Sequence, residues 1–305
     1  MNIIRIKAPA TVANLVCGFD ILGLCLEEPY DIMEVTLLNE RKVTIRSNDN
    51  ALPTDPTKNT AGAPLLEIIR QMDAPIGFDV YIEKRIKPGS GIGSSAANAA
   101  GAVVAANHLL ENKFSNQELV QLAMHGERIA SGADHADNIA PCIYGSVTLI
   151  RSTFPLEIIP ISAPPLFVTI VHPQIEIKTV DARRMLPAKV PLKDAITQWG
   201  NIAGLIAGLM KNDNGIISRS LQDVIIEPVR SSLIPGFKKV KTNCMNAGAL
   251  GGGISGSGPA IFMLSTNKET ATAIALEMEK VFNELAIENK TYVSVISKTG
   301  VSIID

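Results

Sequence analysis

Apolar Ile4, Ile6 and Ala8 alternate with Arg5 and Lys7, and this period of two predicts a first strand over residues 2–8, buried on one face and closed by Pro9. Residues 10–23 follow as a mostly apolar loop in which Asn14 and Asp20 are the conspicuous polar side chains. Both residue types suit Asx turns, and both equally suit the wall of a pocket. Residues 31–38 and 42–47 read as strands of a meander, with the polar, proline-containing stretch 48–56 as their exit. Over residues 59–72 the spacing becomes helical, with Ala63, Leu66, Ile69 and Met72 on one side, and residues 78–86 alternate again as a strand.

That strand delivers the chain into Lys87-Pro88-Gly89-Ser90-Gly91-Ile92-Gly93-Ser94-Ser95-Ala96-Ala97. Glycines at alternating positions remove the Cβ atoms that would keep a backbone from curling around an anion, and they permit left-handed torsions. The Ala-rich run 94–110 has no proline and predicts a helix. Its first turn would offer unpaired N–H groups and roughly half a positive charge, which favours a phosphate even without a lysine. A Walker A loop needs Lys then Ser or Thr directly after its last glycine, and here Ser94 follows Gly93. A dinucleotide fingerprint needs Gly-x-Gly-x-x-Gly, which the Gly89, Gly91, Gly93 spacing does not provide. The stretch also suits a plain Gly/Ser turn ahead of a buried helix.

Ser115 is positioned to cap a helix through residue 131 whose polar face carries Gln121, His125 and Arg128. Glu127 falls instead with Val120, Ala123 and Ala130, where a carboxylate needs an ion pair or a metal. The turn 132–138 gathers Asp134, His135, Asp137 and Asn138. Residues 142–151 predict a strand, 152–165 a crossing into a second lobe, and 166–172 a strand within it. Residues 178–184 place Thr179, Arg183 and Arg184 ahead of a helix. Further helices are expected over 192–211, 216–224 and 234–248, with Arg230 between two of them. A second glycine-rich segment, 249–260, predicts strand, tight loop and return strand, and a helix over 268–285 and a strand over 292–297 follow.

Composition narrows the function. The 305 residues divide naturally into two lobes, 1–155 and 156–305, and a net charge of −2 offers no field for nucleic acid or an anionic membrane. No apolar run reaches a membrane span, and Met1-Asn2-Ile3-Ile4-Arg5 lacks the apolar core of a signal peptide, so a cytoplasmic protein is expected. Cys17, Cys25, Cys142 and Cys244 show neither Cys-x-x-Cys spacing nor clustered histidine, which argues for reduced packing residues. A phosphate loop without its own lysine, an inward carboxylate and separate arginines suit phosphoryl transfer from Mg·ATP to a small anionic substrate. Glu127 and a loop serine would then hold the metal.

Lys7-Ala8-Pro9-Ala10, then residues 88–97, then residues 251–259 resemble the three ordered motifs of the GHMP kinases, the superfamily of galactokinase, homoserine kinase and mevalonate kinase. Ile92 replaces the commoner Leu. Asn14 with Gly18-Phe19-Asp20, and His135-Ala136-Asp137-Asn138, are similar to the homoserine kinase branch. The resemblance spans nearly the full length. It implies a two-lobed α+β fold, an N-terminal α/β lobe with the phosphate loop and a C-terminal ferredoxin-like lobe, with ATP and substrate in the cleft between them.

The resemblance further implies that Lys87 to Ala97 hold the phosphates, that Ser95 and Glu127 bind Mg²⁺, and that Asn14, Asp20, His135, Arg183 and Arg230 contact L-homoserine. Thr179 would lie near the transferred phosphoryl group, Asn59 near the adenine, and Asp137 with Asn138 would position the reacting groups. A homodimer is a family expectation. Chemically, Arg183 and Arg230 suit the substrate carboxylate and Asp20 its ammonium, while the hydroxyl must face the γ-phosphate. Arg184 could take the role of Arg183. Another small alcohol, mevalonate- or shikimate-like, or a non-catalytic nucleotide-binding role remain the other readings.

Overall fold

The alternation that opens the chain does not stop at Pro9. In the computed structural model, which describes residues 3–177 and 179–304, β1 runs Ile3–Ala13. A register shift between Pro9 and Thr11 absorbs the proline. Asn2 and Lys178, the first residues of two expected segments, lie outside the described residues. β2 (Leu22–Leu38) reclaims the end of the expected loop as strand and pairs antiparallel with β1 over most of its length. Its far side changes partner along the way: residues 22–24 face one strand and residues 32–38 another.

The expected meander is not formed. β3 (Val43–Ser47), α1 (Gly62–Gln71) and β4 (Gly77–Glu83) make a crossover in which β3 lies parallel to β4, and β4 pairs with β2. The helix starts later than its spacing suggested, and its buried face centres on Leu65, Ile68 and Ile69. α2 (Ser94–Leu109) is buried along nearly its whole length, its alanines permitting close approach to β1 and to α3 (Asn116–Ser131). Ser115 caps α3 in a reciprocal box with Glu118, as the sequence suggests. A short α4 (Ile139–Tyr144) takes the first three residues of the expected 142–151 strand, and β5 (Val147–Thr153) begins after Gly145. β6 (Leu156–Ile161) folds back on β5, so the expected crossing at 152–165 begins only beyond Ile161.

The second lobe contains β7 (Phe167–Pro173), α5 (Thr179–Arg184), α6 (Leu192–Lys211), α7 (Asn214–Ser220), α8 (Glu227–Arg230) and α9 (Phe237–Asn246). It continues through β8 (Gly251–Ile254), β9 (Ile261–Ser265), α10 (Lys268–Glu284) and β10 (Asn289–Val295). Its antiparallel sheet has the order β10-β7-β9-β8, the four-one-three-two arrangement of ferredoxin-like folds. One face, with Val171, Ile261 and Met263, is covered by α9 and α10. The other, with Val168, Ile170, Phe262 and Leu264, joins the core of the first lobe. Full burial of a side chain such as Phe262 contributes about 1.5–3 kcal/mol, so this shared core resists separation of the lobes.

The last strand, β11 (Ser302–Ile304), returns to the first sheet and pairs with β1. Among the described residues no helix is long and apolar enough to cross a membrane.

Candidate active site

Below the phosphate loop lies a buried ion pair. Lys84 meets Asp31 of β2, and its ammonium also donates to the Ser94 carbonyl at 3.2 Å and to Asn98 Oδ1 at 3.1 Å. Asp31 in turn accepts the backbone N–H groups of Arg85 and Ile86 at 2.7 and 2.8 Å. Burial outweighs the neighbouring carboxylate and moves Lys84 below its usual pKa. The chain thus enters the loop from a fixed point, a support that no short motif announces.

Gly89, Gly91 and Gly93 all take positive φ, at 75, 83 and 70°. At Gly91 a Cβ would stand 2.6 Å from the Gly258 carbonyl, and at Gly93 2.1 Å from Thr11 Oγ1, so neither position admits a side chain. Gly93 is the N-cap of α2 and supplies no side-chain cap, which leaves the first-turn N–H groups for an anion. The Ser94 hydroxyl turns inward to the Ile86 carbonyl at 3.1 Å, whereas Ser95 Oγ lies 3.4 Å from Glu127 Oε2.

These residues line a cleft of about 320 Å³. Pro88, Gly89, Gly91, Gly93, Ser94 and Ser95 face it; Lys87 reaches outward to Gln174, and Ser90, Ile92, Ala96 and Ala97 are buried in support. Asn59 does not line it. Its side chain donates to the Pro53 carbonyl and accepts from Ala61 N–H, shaping the turn before α1, while neighbouring Thr60 and Leu52 face the cleft.

The opposite wall comes from the loop between β8 and β9. Ser255 Oγ donates to the Gly91 carbonyl at 2.7 Å, and Ser257 Oγ lies 3.2 Å from Thr179 Oγ1. The second glycine-rich segment therefore serves both hairpin and cleft.

At the end bounded by the β1–β2 loop, Asn14 holds positive φ of 75°. It donates to the Gly256 carbonyl at 2.8 Å and accepts from Asp20 N–H at 3.0 Å. Leu15, Val16 and Asp20 also have positive φ, a concentration of backbone strain of the kind found where side chains are held for a purpose. Asp20 accepts from Arg183 Nη2 through both oxygens, at 2.9 and 3.1 Å, and the same nitrogen lies 2.9 Å from His135 Nε2. Burial lowers the His135 pKa, with Asp20 opposing, which agrees with a neutral ring accepting from the guanidinium.

Arg230, at the end of α8, is 3% exposed and donates to the Ala182 and Gly256 carbonyls. Burial, and then Arg183, push its pKa down. Phe19 lies against both cations, 5.5 Å from Arg183 and 4.8 Å from Arg230. Arg183, not Arg184, enters the cleft; Arg184 is exposed beside Asp181.

Asp137 and Asn138 complete the floor. Burial, then the charges of Asp20 and Glu127, raise the Asp137 pKa to about 7. Asn138 Oδ1 accepts from Thr11 Oγ1 at 2.8 Å, fixing its orientation. All of Asn14, Asp20, Glu127, His135, Asp137, Asn138, Thr179, Arg183 and Arg230 meet in this one cleft. Phe19 and Ser257 join them without having been singled out, although both belong to motifs visible in the sequence.

An anion cradle on a helix start, facing cations and carboxylates that can read a small zwitterion, defines a kinase of small metabolites. Comparisons with known proteins agree. The family model GHMP kinases N terminal domain matches residues 59–146, and GHMP kinases C terminal matches residues 205–284. Homoserine kinase of Chlorobium phaeobacteroides is 45% identical, with 100% of each chain covered. The crystal structure of homoserine kinase from Cytophaga hutchinsonii superposes with a TM-score of 0.95 at 44% identity, covering 100% of this chain and 98% of that one. The chain belongs to the homoserine kinase family of the GHMP kinases. A mevalonate kinase from L. major, at 17% identity and a TM-score of 0.72 over 97% of this chain and 96% of that one, shares the fold.

Proposed function

We propose that the cleft transfers the γ-phosphoryl group of ATP to the side-chain hydroxyl of L-homoserine, giving O-phospho-L-homoserine and ADP on the route to threonine. The observation that carries this reading is the junction of Asp20, Arg183 and His135 opposite the phosphate cradle. Asp20 offers a carboxylate to the substrate ammonium. Arg183 keeps a buried Nε donor that has no partner among the described residues, which suits the substrate carboxylate, with Arg230 behind it. Asn14 and His135 fix the amino-acid end. Thr179, held by Ser257, stands beside the phosphoryl path, while Asp137 and Asn138 orient the hydroxyl.

Ser95 and Glu127 place two oxygen donors side by side at the cradle, a donor set that fits Mg²⁺ held mainly by phosphate oxygens. When bound, the ion neutralises charge on the β- and γ-phosphates. The chain's own residues supply alignment and electrostatics: the 89–93 amides and the α2 start hold the triphosphate, and Thr60 and Leu52 offer the adenine a surface braced by Asn59. We further place the enzyme in the cytoplasm, where ATP is abundant, with four buried free cysteines consistent with a reducing compartment, and as a homodimer.

The test is ADP release with ATP and Mg²⁺ against L-homoserine, D-homoserine, mevalonate and shikimate, with the product identified by mass and ³¹P NMR. Phosphorylation of L-homoserine at least a hundredfold faster than of the others is expected. Preference for mevalonate, which has no ammonium, or absence of turnover with every alcohol contradicts the reading.

A further inference from the structure

Helix α6 carries an apolar row on the face turned away from the core. Its buried side is Gln198, Leu205, Gly208 and Leu209, whereas Leu192, Ile196, Trp199 and Met210 are 68, 57, 59 and 72% exposed. Exposed Ala203 and half-buried Ile206 complete the row. The six positions recur in alternating steps of four and three, the spacing of a helix-pairing seam. At 1.5 Å per residue the row is about 27 Å long, and large apolar side chains aligned over such a distance mark an interaction surface.

The row is complementary to its own reverse. If two copies of α6 lie antiparallel about a two-fold axis at the level of Asn201, Leu192 meets Met210, Ile196 meets Ile206, and Trp199 meets Ala203. The largest side chain then falls opposite the smallest, and Gly200 beside it leaves open space for the indole. In a parallel pairing Trp199 would oppose itself. Continuing the same register, Val190, 38% exposed, reaches the level of Asn212 on the second copy. There the structure has an apolar groove of about 510 Å³, with Leu149, Ile159, Pro160 and Met210 among its walls. A seam of these dimensions covers roughly 300 Å² per copy, given a helix about 10–12 Å across. The groove extends it toward the roughly 800 Å² per partner of a stable dimer.

We propose that α6 is the dimerisation element of this chain, pairing antiparallel with α6 of a second copy and seating the 190–192 segment of each copy in the groove of the other. The pairing gives the homodimer its surface and register and stands independently of which alcohol is phosphorylated. Because the row is exposed in the single chain, polar substitutions there leave the fold intact, so oligomeric state and folding are separable.

Sedimentation equilibrium of the full chain should give twice the 32.5 kDa chain mass at micromolar concentration. Trp199→Glu and Ile196→Glu should give monomers with unchanged circular dichroism, and Leu276→Glu, at an exposed position of α10, should remain dimeric. Mixing Trp199→Cys with Ala203→Cys under mild oxidation should cross-link the two variants to each other, and neither to itself. A wild-type monomer at 100 μM, or a dimer that survives Trp199→Glu, overturns the proposal. A dimer lost on Trp199→Glu but without the mixed cross-link overturns the register.

Discussion

Asp20 and Arg183 are 163 residues apart in the chain and joined by two hydrogen bonds from one guanidinium nitrogen, at 2.9 and 3.1 Å. The pair ties the loop after β1 to α5, so the two lobes meet at the residues that would grip the amino acid. Their side chains are 31 and 38% exposed, and solvent screening keeps the pair's contribution to folding small. Its value lies in the substrate complex. Arg183→Ala and Asp20→Asn are each expected to lower kcat/KM for homoserine by about 2–5 kcal/mol, roughly 30- to several-thousandfold, while shifting Tm little. The double variant should cost clearly less than the two changes added, because either single change already breaks the pair and strands the other member. Steady-state kinetics of the four proteins settle it; unchanged KM and kcat in both single variants would remove the pair from the site.

The cradle makes a graded prediction. Gly89 has open space where a Cβ would go, while Gly91 and Gly93 would press theirs into the Gly258 carbonyl and the Thr11 hydroxyl. All three have positive φ, which for alanine costs roughly 1–2 kcal/mol. Gly89→Ala should therefore be the mildest, within about thirtyfold in KM for ATP by that torsional cost alone. Gly91→Ala and Gly93→Ala should each lose a hundredfold or more in kcat/KM for ATP. Equal effects at all three positions would mean that backbone torsion, not the closeness of the walls, governs the loop.

Glu127 and Ser95 test the metal assignment. Glu127→Gln keeps shape and hydrogen-bonding capacity but removes the charge. Magnesium titrations at fixed ATP should show its half-activation concentration rising at least tenfold, with KM for homoserine unchanged. Full activity at limiting magnesium would release Glu127 from that role.

Asp137 gives a stability signature that needs no substrate. Its pKa is raised from 3.8 to about 7 in the fold. Between those values the folded chain holds a proton that the unfolded chain has released, so stability falls as pH rises through that window, and the penalty is complete above about 7. Replacing the carboxyl by an amide removes this slope. Tm of Asp137→Asn relative to the parent should therefore rise from pH 5 to about pH 7 and level off by pH 8, whatever its absolute level. A difference independent of pH would show that the carboxyl ionises normally.

How far the chain could be read depended on whether the signal was local. The glycine loop, the α2 start and the Ser115 cap were legible because torsional freedom and capping act within a few residues. So was the meeting of Asn14, His135, Arg183 and Arg230 in one cleft, through motif order. Strand limits were not: β1 passes Pro9 because β2 pairs along both sides of the bulge, and β6 belongs to the first sheet because β5 receives it. Pairings over long stretches of chain, such as Arg5 with Ile304, leave no periodic trace. Asn59, expected near the adenine, serves its own turn, and Lys84 with Asp31 became meaningful only once β2 and β4 lay side by side.

The most direct measurement is a crystal structure of the chain with a non-hydrolysable ATP analogue, Mg²⁺ and L-homoserine. The β- and γ-phosphates are expected on the amides of Gly91, Gly93 and the first turn of α2, with the substrate carboxylate on Arg183 and Arg230, the ammonium on Asp20, and the hydroxyl toward the γ-phosphorus. A triphosphate bound elsewhere, or homoserine seated with its hydroxyl away from that phosphorus, would overturn the proposed function.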